Sequence, residues 1–452
     1  MNRTHPTMLL AALVTTELAA GPALEPLDLD PTFAGDGTVI VEERPRDLAF
    51  TGLIEPSGEI VVIGRAGDSD PRFDQGVLQR IGADGTIGAR TGIGATSGPC
   101  PVPRAFLTGI RLSNGDYLGG GYVQEGCSGI PRKFNVLRFT PAGGVVDEFD
   151  RVPFNNERAH ISALGEQSDG GIVAVGFADE DFNDFSTFDI AVARFTANGV
   201  LDTSFGTGGM FTFDRANEPD WARDVVIDAN DRILIAGYAT SAAGNRDMLI
   251  MRLDPDGALD PTFNGTGFRY YDHAGFSDSG NSIDLGPRGR IVVGGAVTTA
   301  SNDTQGVVLA LTDQGALDTG FGSNGIATVD LGNTASSIND VHFDAGRIYV
   351  TGWSRPAGGD RIERDAAVTV LRSNGAPNPS FNGGQPQVFA FDPALGPQSD
   401  IPLSIDVSDN GEQIVVTGFT DNEPRTIQRF GVARLIGLEN ALFADGFEGG
   451  GP

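Results

Sequence analysis

Leu201-Asp202-Thr203-Ser204-Phe205-Gly206 recurs as Leu259-Asp260-Pro261-Thr262-Phe263-Asn264 and again as Leu317-Asp318-Thr319-Gly320-Phe321-Gly322. Weaker copies stand at Pro377-Asn378-Pro379-Ser380-Phe381-Asn382 and at Leu29-Asp30-Pro31-Thr32-Phe33. A decayed copy stands at Val146-Asp147-Glu148-Phe149. From Phe149 to Phe381 the phenylalanines advance by 56, 58, 58 and 60 residues. Phe33 to Phe149 spans 116, which leaves room for one copy near Thr91 without the signature. A fixed period of this length marks a repeat architecture.

A second marker repeats independently. Gly58-Glu59-Ile60-Val61-Val62-Ile63-Gly64 reads as a turn, a β-branched run and a glycine, and its equivalents end at Gly121, Gly176, Gly237, Gly295, Gly352 and Gly418. Both markers count seven units. Within one unit, residues 209–213, 222–228, 232–237 and 248–253 are short apolar runs bounded by Gly, Asn, Asp and Pro, the pattern of strands. Asn230-Asp231 and Asp254-Pro255-Asp256-Gly257 supply turn chemistry. No stretch keeps a helical period over three turns. The expected fold is all-β: a seven-bladed β-propeller over residues 27–437, with four antiparallel strands per repeat of about 58 residues. An open solenoid is the alternative, but it lacks polar capping repeats. The sequence unit need not coincide with the blade.

The clearest copy, Asp189-Ile190-Ala191-Val192-Ala193-Arg194-Phe195 through Gly206, resembles the bacterial delta-60 repeat family. The resemblance covers roughly residues 27–437, is strong in the third to fifth units, and is weak in the second unit and in the leading turn of the seventh. It implies an exported, propeller-like β protein and provides no catalytic residues to carry over. The tail, 438–452, contains Asp445-Gly446-Phe447-Glu448, which looks like a short ending found on exported bacterial proteins.

Charge and termini narrow the function classes. The chain has 452 residues, 60 acidic and 31 basic, for a net charge of −29, and Lys133 is its one lysine. That balance excludes nucleic acid and anionic membrane surfaces as natural partners. Residues 1–23 read as an export signal, with Arg3, an apolar stretch at 8–14 and a small-residue cleavage site; a disordered N-terminus is the alternative. No other run is long enough to span a membrane as a helix. Cys100 and Cys127 could form a disulfide in an exported compartment, against two free thiols. The expected location is secreted or periplasmic, and the expected state a monomer.

Repeats also separate scaffold from site. The signature aspartates and phenylalanines recur and read as turn caps and core plugs. Arg80, Arg138, Arg194, Arg252 and Arg434 recur too, as ties between blades or as a ring that binds an anion. Variable acidic and aromatic segments, 179–188, 214–221, 270–279, 354–365 and 421–425, are expected on one face. They place Trp221, Tyr270, Tyr271 and Trp353 as candidate ligand-binding residues. Asp179, Asp181 and Asn183 match the first three oxygen ligands of a calcium loop, without its turn glycine or closing glutamate. Serine-nucleophile, phosphate-loop and zinc motifs are missing. The leading reading is a non-enzymatic exported scaffold that binds a glycan or macromolecule at the cell envelope or outside it. The alternative is a carbohydrate-active hydrolase or lyase using carboxylates near the central channel.

Overall fold

The computed structural model describes residues 29–436 apart from 68–72, 95–101, 126–131, 155–157, 180–187, 333–334, 357–362, 393–398, 409–410 and 422–426. The export-signal segment, the C-terminal tail, Cys100, Cys127, Asp181 and Asn183 therefore lie outside the described residues. The regular structure described is almost entirely strand. Helical geometry is confined to single 3-10 turns such as Pro287–Gly289 and Asn382–Gly384.

One four-stranded antiparallel sheet shows the pattern: Trp221–Ile227, Ile233–Thr240, Arg246–Leu253 and Phe268–Tyr271, in chain order. Two further four-stranded sheets begin at Asp278 and Ser336. The other two sheets have eight strands. In each, a single parallel residue pair joins two sets of four: Arg158 with Arg132, and Arg46 with Gln428. In the second of these, Thr38–Val41 runs antiparallel along Gln428–Ile436, so the first described strand completes the set that holds the last. The first strands pack on one another in order, and Ser399–Val407 packs on Arg46–Ile54.

The repeat unit and the sheet are offset by one strand. Met210–Phe213, which opens the sequence unit, pairs with Asp189–Phe195 and forms the outer edge of the preceding sheet. The reason is local. The signature turn at 201–206 folds the chain back onto the strand it has just left, and only then does the chain cross to the next sheet.

The marker glycines have a steric cause. Every first strand carries a bulge, and the glycine stands beside it: Ala222 pairs with Gly237, after which the register jumps to Asp224. A Cβ on Gly237 would lie 2.0 Å from the Trp221 carbonyl oxygen, and one on Gly64 2.0 Å from that of Leu48. The other five marker glycines meet a carbonyl in the same way, at 1.9–2.0 Å. No side chain fits there.

The signature residues join neighbouring sets. Phe205 and Phe263 are fully buried, each worth about 2–3 kcal/mol of transfer free energy. Each ring packs under a positive-φ turn glycine of the following set, Gly257 and Gly315. Asp202 and Asp260 cap the turn through the hydroxyl and backbone N–H of Ser204 and Thr262. Arg252, buried over the Phe263 ring, donates from Nε to Asp260 at 2.8 Å and from Nη2 to Thr262, while Nη1 reaches the Asp313 carbonyl of the following set. Arg194 repeats the arrangement on Asp202 and the Pro255 carbonyl. Arg138 reaches the Ala197 carbonyl, whereas Arg80 pairs with Glu59. Arg138, Arg194 and Arg252 are ties between sets, and the Arg80 partner lies within its own set.

Candidate functional site

At the end of the sheets where first strands begin and second strands finish, side chains escape the scaffold rule. The variable connections, both second-to-third and fourth-to-first, leave the sheets at this same end. The residue after each marker glycine is Arg65, Tyr122, Phe177, Tyr238, Ala296, Trp353 or Phe419. In one sector these positions and their strand partners form a continuous aromatic arc. Tyr122 stacks on His160 with centroids 4.6 Å apart, His160 meets Phe177 at 4.8 Å, and Phe177 meets Trp221 at 4.8 Å. Phe188 closes against both Phe177 and Trp221, and Tyr238 lies beyond Trp221. Tyr122, Phe177 and Tyr238 are buried; His160, Phe188 and Trp221 keep part of their surface in solvent. The arc spans three consecutive sets of strands.

Arginines flank it. Arg132 lies over Tyr122 at 4.5 Å and places Nη1 3.1 Å from His160 Nε2. Arg223, the bulge residue of its strand, lies 4.0 Å from the Trp221 ring centroid and 5.6 Å from that of Tyr238. Arg246 takes Tyr238 at 4.7 Å. Among the described residues no carboxylate pairs with Arg132, Arg223 or Arg246, and the buried Nε of Arg223 has no hydrogen-bond partner. Burial, and the neighbouring Arg246 charge, push the Arg223 guanidinium below its ordinary pKa. Burial together with Arg132, Arg158 and Arg65 holds His160 well below the usual histidine range, so it is neutral at pH 7.

Of the residues singled out from sequence, Trp221 stands in this arc, its indole N–H donated to Ser162 Oγ at 2.7 Å. Trp353 occupies the position of Tyr238, behind the marker glycine, in another sheet, under Arg364 at 4.2 Å. Tyr270 and Tyr271 lie on an outer strand. Tyr270 sits beneath Arg215 at 3.8 Å, and Tyr271 packs toward the adjoining core. Asp179 ends a strand, fully buried against the Arg158 guanidinium. Tyr122, His160, Phe177, Tyr238 and the three arginines were not read from sequence; the variable position behind each marker glycine was the available signal.

A second group lies on the inner strands. Asp224 accepts the Ile283 N–H at 2.8 Å, Asp284 the Phe343 N–H at 2.6 Å, and Asp340 the Ile405 N–H at 2.8 Å. Asp406 continues the series on the Ile54 N–H at 2.7 Å. Ser282 donates to Asp340 at 2.6 Å. Burial, then the Asp224 charge, raises Asp340 to about 8, and burial raises Asp224 to about 6. Both oxygens of Asp340 are engaged by neighbouring strands, the use of a staple between sheets. Among the described residues no group of three or more His, Cys, Asp or Glu could hold a metal, and no helix is long and apolar enough to cross a membrane.

The family model described as "Domain of unknown function (DUF5122) beta-propeller" matches residues 167–205 and 229–263. No curated protein matches the chain. Among solved structures, polysaccharide lyase Uly1 superposes with a TM-score of 0.50 at 9% identity, over 86% of this chain and 90% of that one. The β-propeller domain of the Trilobed protease from Pyrococcus furiosus gives 0.44 at 10%, over 90% of this chain and 98% of that one. A Trypanosoma rangeli sialidase in complex with 2,3-difluorosialic acid gives 0.44 at 10%, over 90% of this chain and 59% of that one. At 9% identity the likeness to the lyase is one of fold alone. The chain is an all-β protein with a β-propeller fold built from four-stranded antiparallel sheets.

Proposed function

We propose that this protein is an exported, non-enzymatic seven-bladed propeller that binds a ligand on the face bearing the aromatic arc. The blade count follows if each eight-stranded sheet is two blades joined by one parallel residue pair, with Thr38–Val41 completing the last blade. Export rests on residues 1–23. One observation carries the binding reading: Arg223 and Arg246 both lie against Tyr238 beside partly buried Trp221, and among the described residues no carboxylate pairs with either. Like charges held together without a counterion weaken a fold, so a role outside folding explains their presence.

The test uses the two tryptophans. In Trp353→Phe, fluorescence reports Trp221 alone, and titration with a panel of soluble glycans is expected to shift it saturably. A panel that leaves the emission unchanged contradicts the reading.

A carbohydrate-active hydrolase or lyase is the second reading, favoured by the approach of Asp224 and Asp340 around Ser282. Such chemistry needs a carboxyl free to exchange a proton with substrate, and Asp340 uses both oxygens on the protein. Release of reducing ends or unsaturated sugars from the same panel, abolished in Asp340→Asn, is the result that would favour it.

A further inference from the structure

We infer that the arc takes an acidic saccharide, its anionic group held between the Arg223 and Arg246 guanidiniums and a sugar ring laid on Trp221. The inference rests on the binding reading above and specifies its ligand class.

Charge comes first. Of 31 basic residues, most of the buried arginines have carboxylates, as Arg158 has Asp179 and Arg252 has Asp260. Partly buried Arg223 and exposed Arg246 have no carboxylate partner among the described residues, only each other and Tyr238. Stacking uses the flat face of a guanidinium and leaves its N–H edge as the hydrogen-bonding part. Arg223 also engages the Tyr238 hydroxyl, and the remaining N–H groups of the two guanidiniums suit a carboxylate or a sulfate ester, each of which accepts several charge-assisted hydrogen bonds. Arg132 offers a third cation at the far end of the arc, beside neutral His160, which adds no charge of its own.

Shape comes second. Trp221 is fixed by its bond to Ser162 and by edge contacts from Phe177 and Phe188, so the part of its surface left in solvent is held ready before a ligand arrives. A rigid indole bordered by guanidinium edges matches a pyranose with an apolar face and one acidic substituent. The net charge of −29 opposes long polyanions at a distance, although screening limits that repulsion to about 10 Å at 0.1 M salt. Short or sparsely charged oligosaccharides are therefore favoured over dense polyanions.

The experiment titrates Trp353→Phe with four tetramers: a uronic acid oligomer, a neutral hexose oligomer, the same neutral oligomer carrying sulfate esters, and tetraglutamate. The uronate or the sulfated oligomer is expected to bind at least tenfold tighter than the neutral one, and which of the two does so identifies the acidic group. Arg223→Gln and Arg246→Gln, made in the same background, are expected to remove that preference, so that acidic and neutral oligomers bind within about twofold of each other. Far-ultraviolet circular dichroism checks that each variant is folded. Equal affinity for neutral and acidic oligomers overturns the ligand class while leaving the binding face intact. Tetraglutamate binding as tightly as the acidic sugars overturns the saccharide and indicates an acidic peptide. No response to any tetramer overturns this inference, and a silent wider panel overturns the binding reading as well.

Discussion

Arg434 Nε lies 2.9 Å from Asp30 Oδ2, although 404 residues separate them. The same arginine donates to the Thr32 hydroxyl, covers the Phe33 ring at 4.6 Å and reaches the Ala83 carbonyl. This is the tie formed within 8 residues by Arg252 and Asp260, here assembled from opposite ends of the described chain. Replacing one partner of a buried pair leaves the other charge uncompensated, at about 3–5 kcal/mol. Arg434→Met is expected to fall in that range by urea unfolding, and Arg252→Met close to it. If Arg434→Met costs less than about 1 kcal/mol, the first strand contributes little to the closure.

The marker glycines give a sharper steric test. Gly237→Ala drives a methyl into the Trp221 carbonyl, so the bulge must move, at about 3 kcal/mol or more. Gly244→Ala, in a turn with φ +83° and open space around it, is expected to cost about 1 kcal/mol. The ranking, measured by chemical denaturation, is the check; Gly237→Ala as mild as Gly244→Ala contradicts the steric account.

Stability should depend on pH with a defined sign. Burial raises Asp400 to about 7, Asp220 and Asp278 to about 6, and Asp340 to about 8. In the unfolded chain these groups titrate near 4, so the folded state binds their protons more tightly. Their contribution is fully present below about pH 4 and is lost as pH rises through about 6 to 8. Asp202 acts oppositely: its bonds from Ser204, then Arg194, lower its pKa, so that contribution disappears as pH falls below the unfolded value. A thermal midpoint that peaks near pH 5 and falls by several degrees toward pH 9 is expected. Asp340→Asn should flatten the alkaline limb; an unchanged slope would remove Asp340 as its source.

Much of this architecture was legible because it is imposed on every repeat. A phenylalanine that plugs a seam and a glycine that must lack a Cβ recur each time the same steric problem recurs. The sheet offset was not legible, since Met210–Phe213 has the same strand pattern whichever neighbour it pairs with. The arc was hidden for the opposite reason. Tyr122, Phe177 and Tyr238 occupy one position in three repeats, yet Arg65 and Ala296 fill it in others. Trp221 was identified as a rare aromatic beside a variable segment, and Tyr270 by the same logic. Which of them would meet a neighbouring ring depended on the curvature between sheets, and no single repeat encodes that curvature.

The most direct test of the binding face is Arg246→Gln, assayed for thermal midpoint and for affinity toward the oligosaccharide that binds best. Arg246 is exposed, makes no ion pair among the described residues and lies close to the Arg223 charge. The expected result is a midpoint equal to or slightly above that of the parent protein, with affinity reduced about tenfold, the loss of roughly 1.4 kcal/mol typical of one charge-assisted contact. A lowered midpoint with unchanged affinity would contradict the account and assign Arg246 to the scaffold.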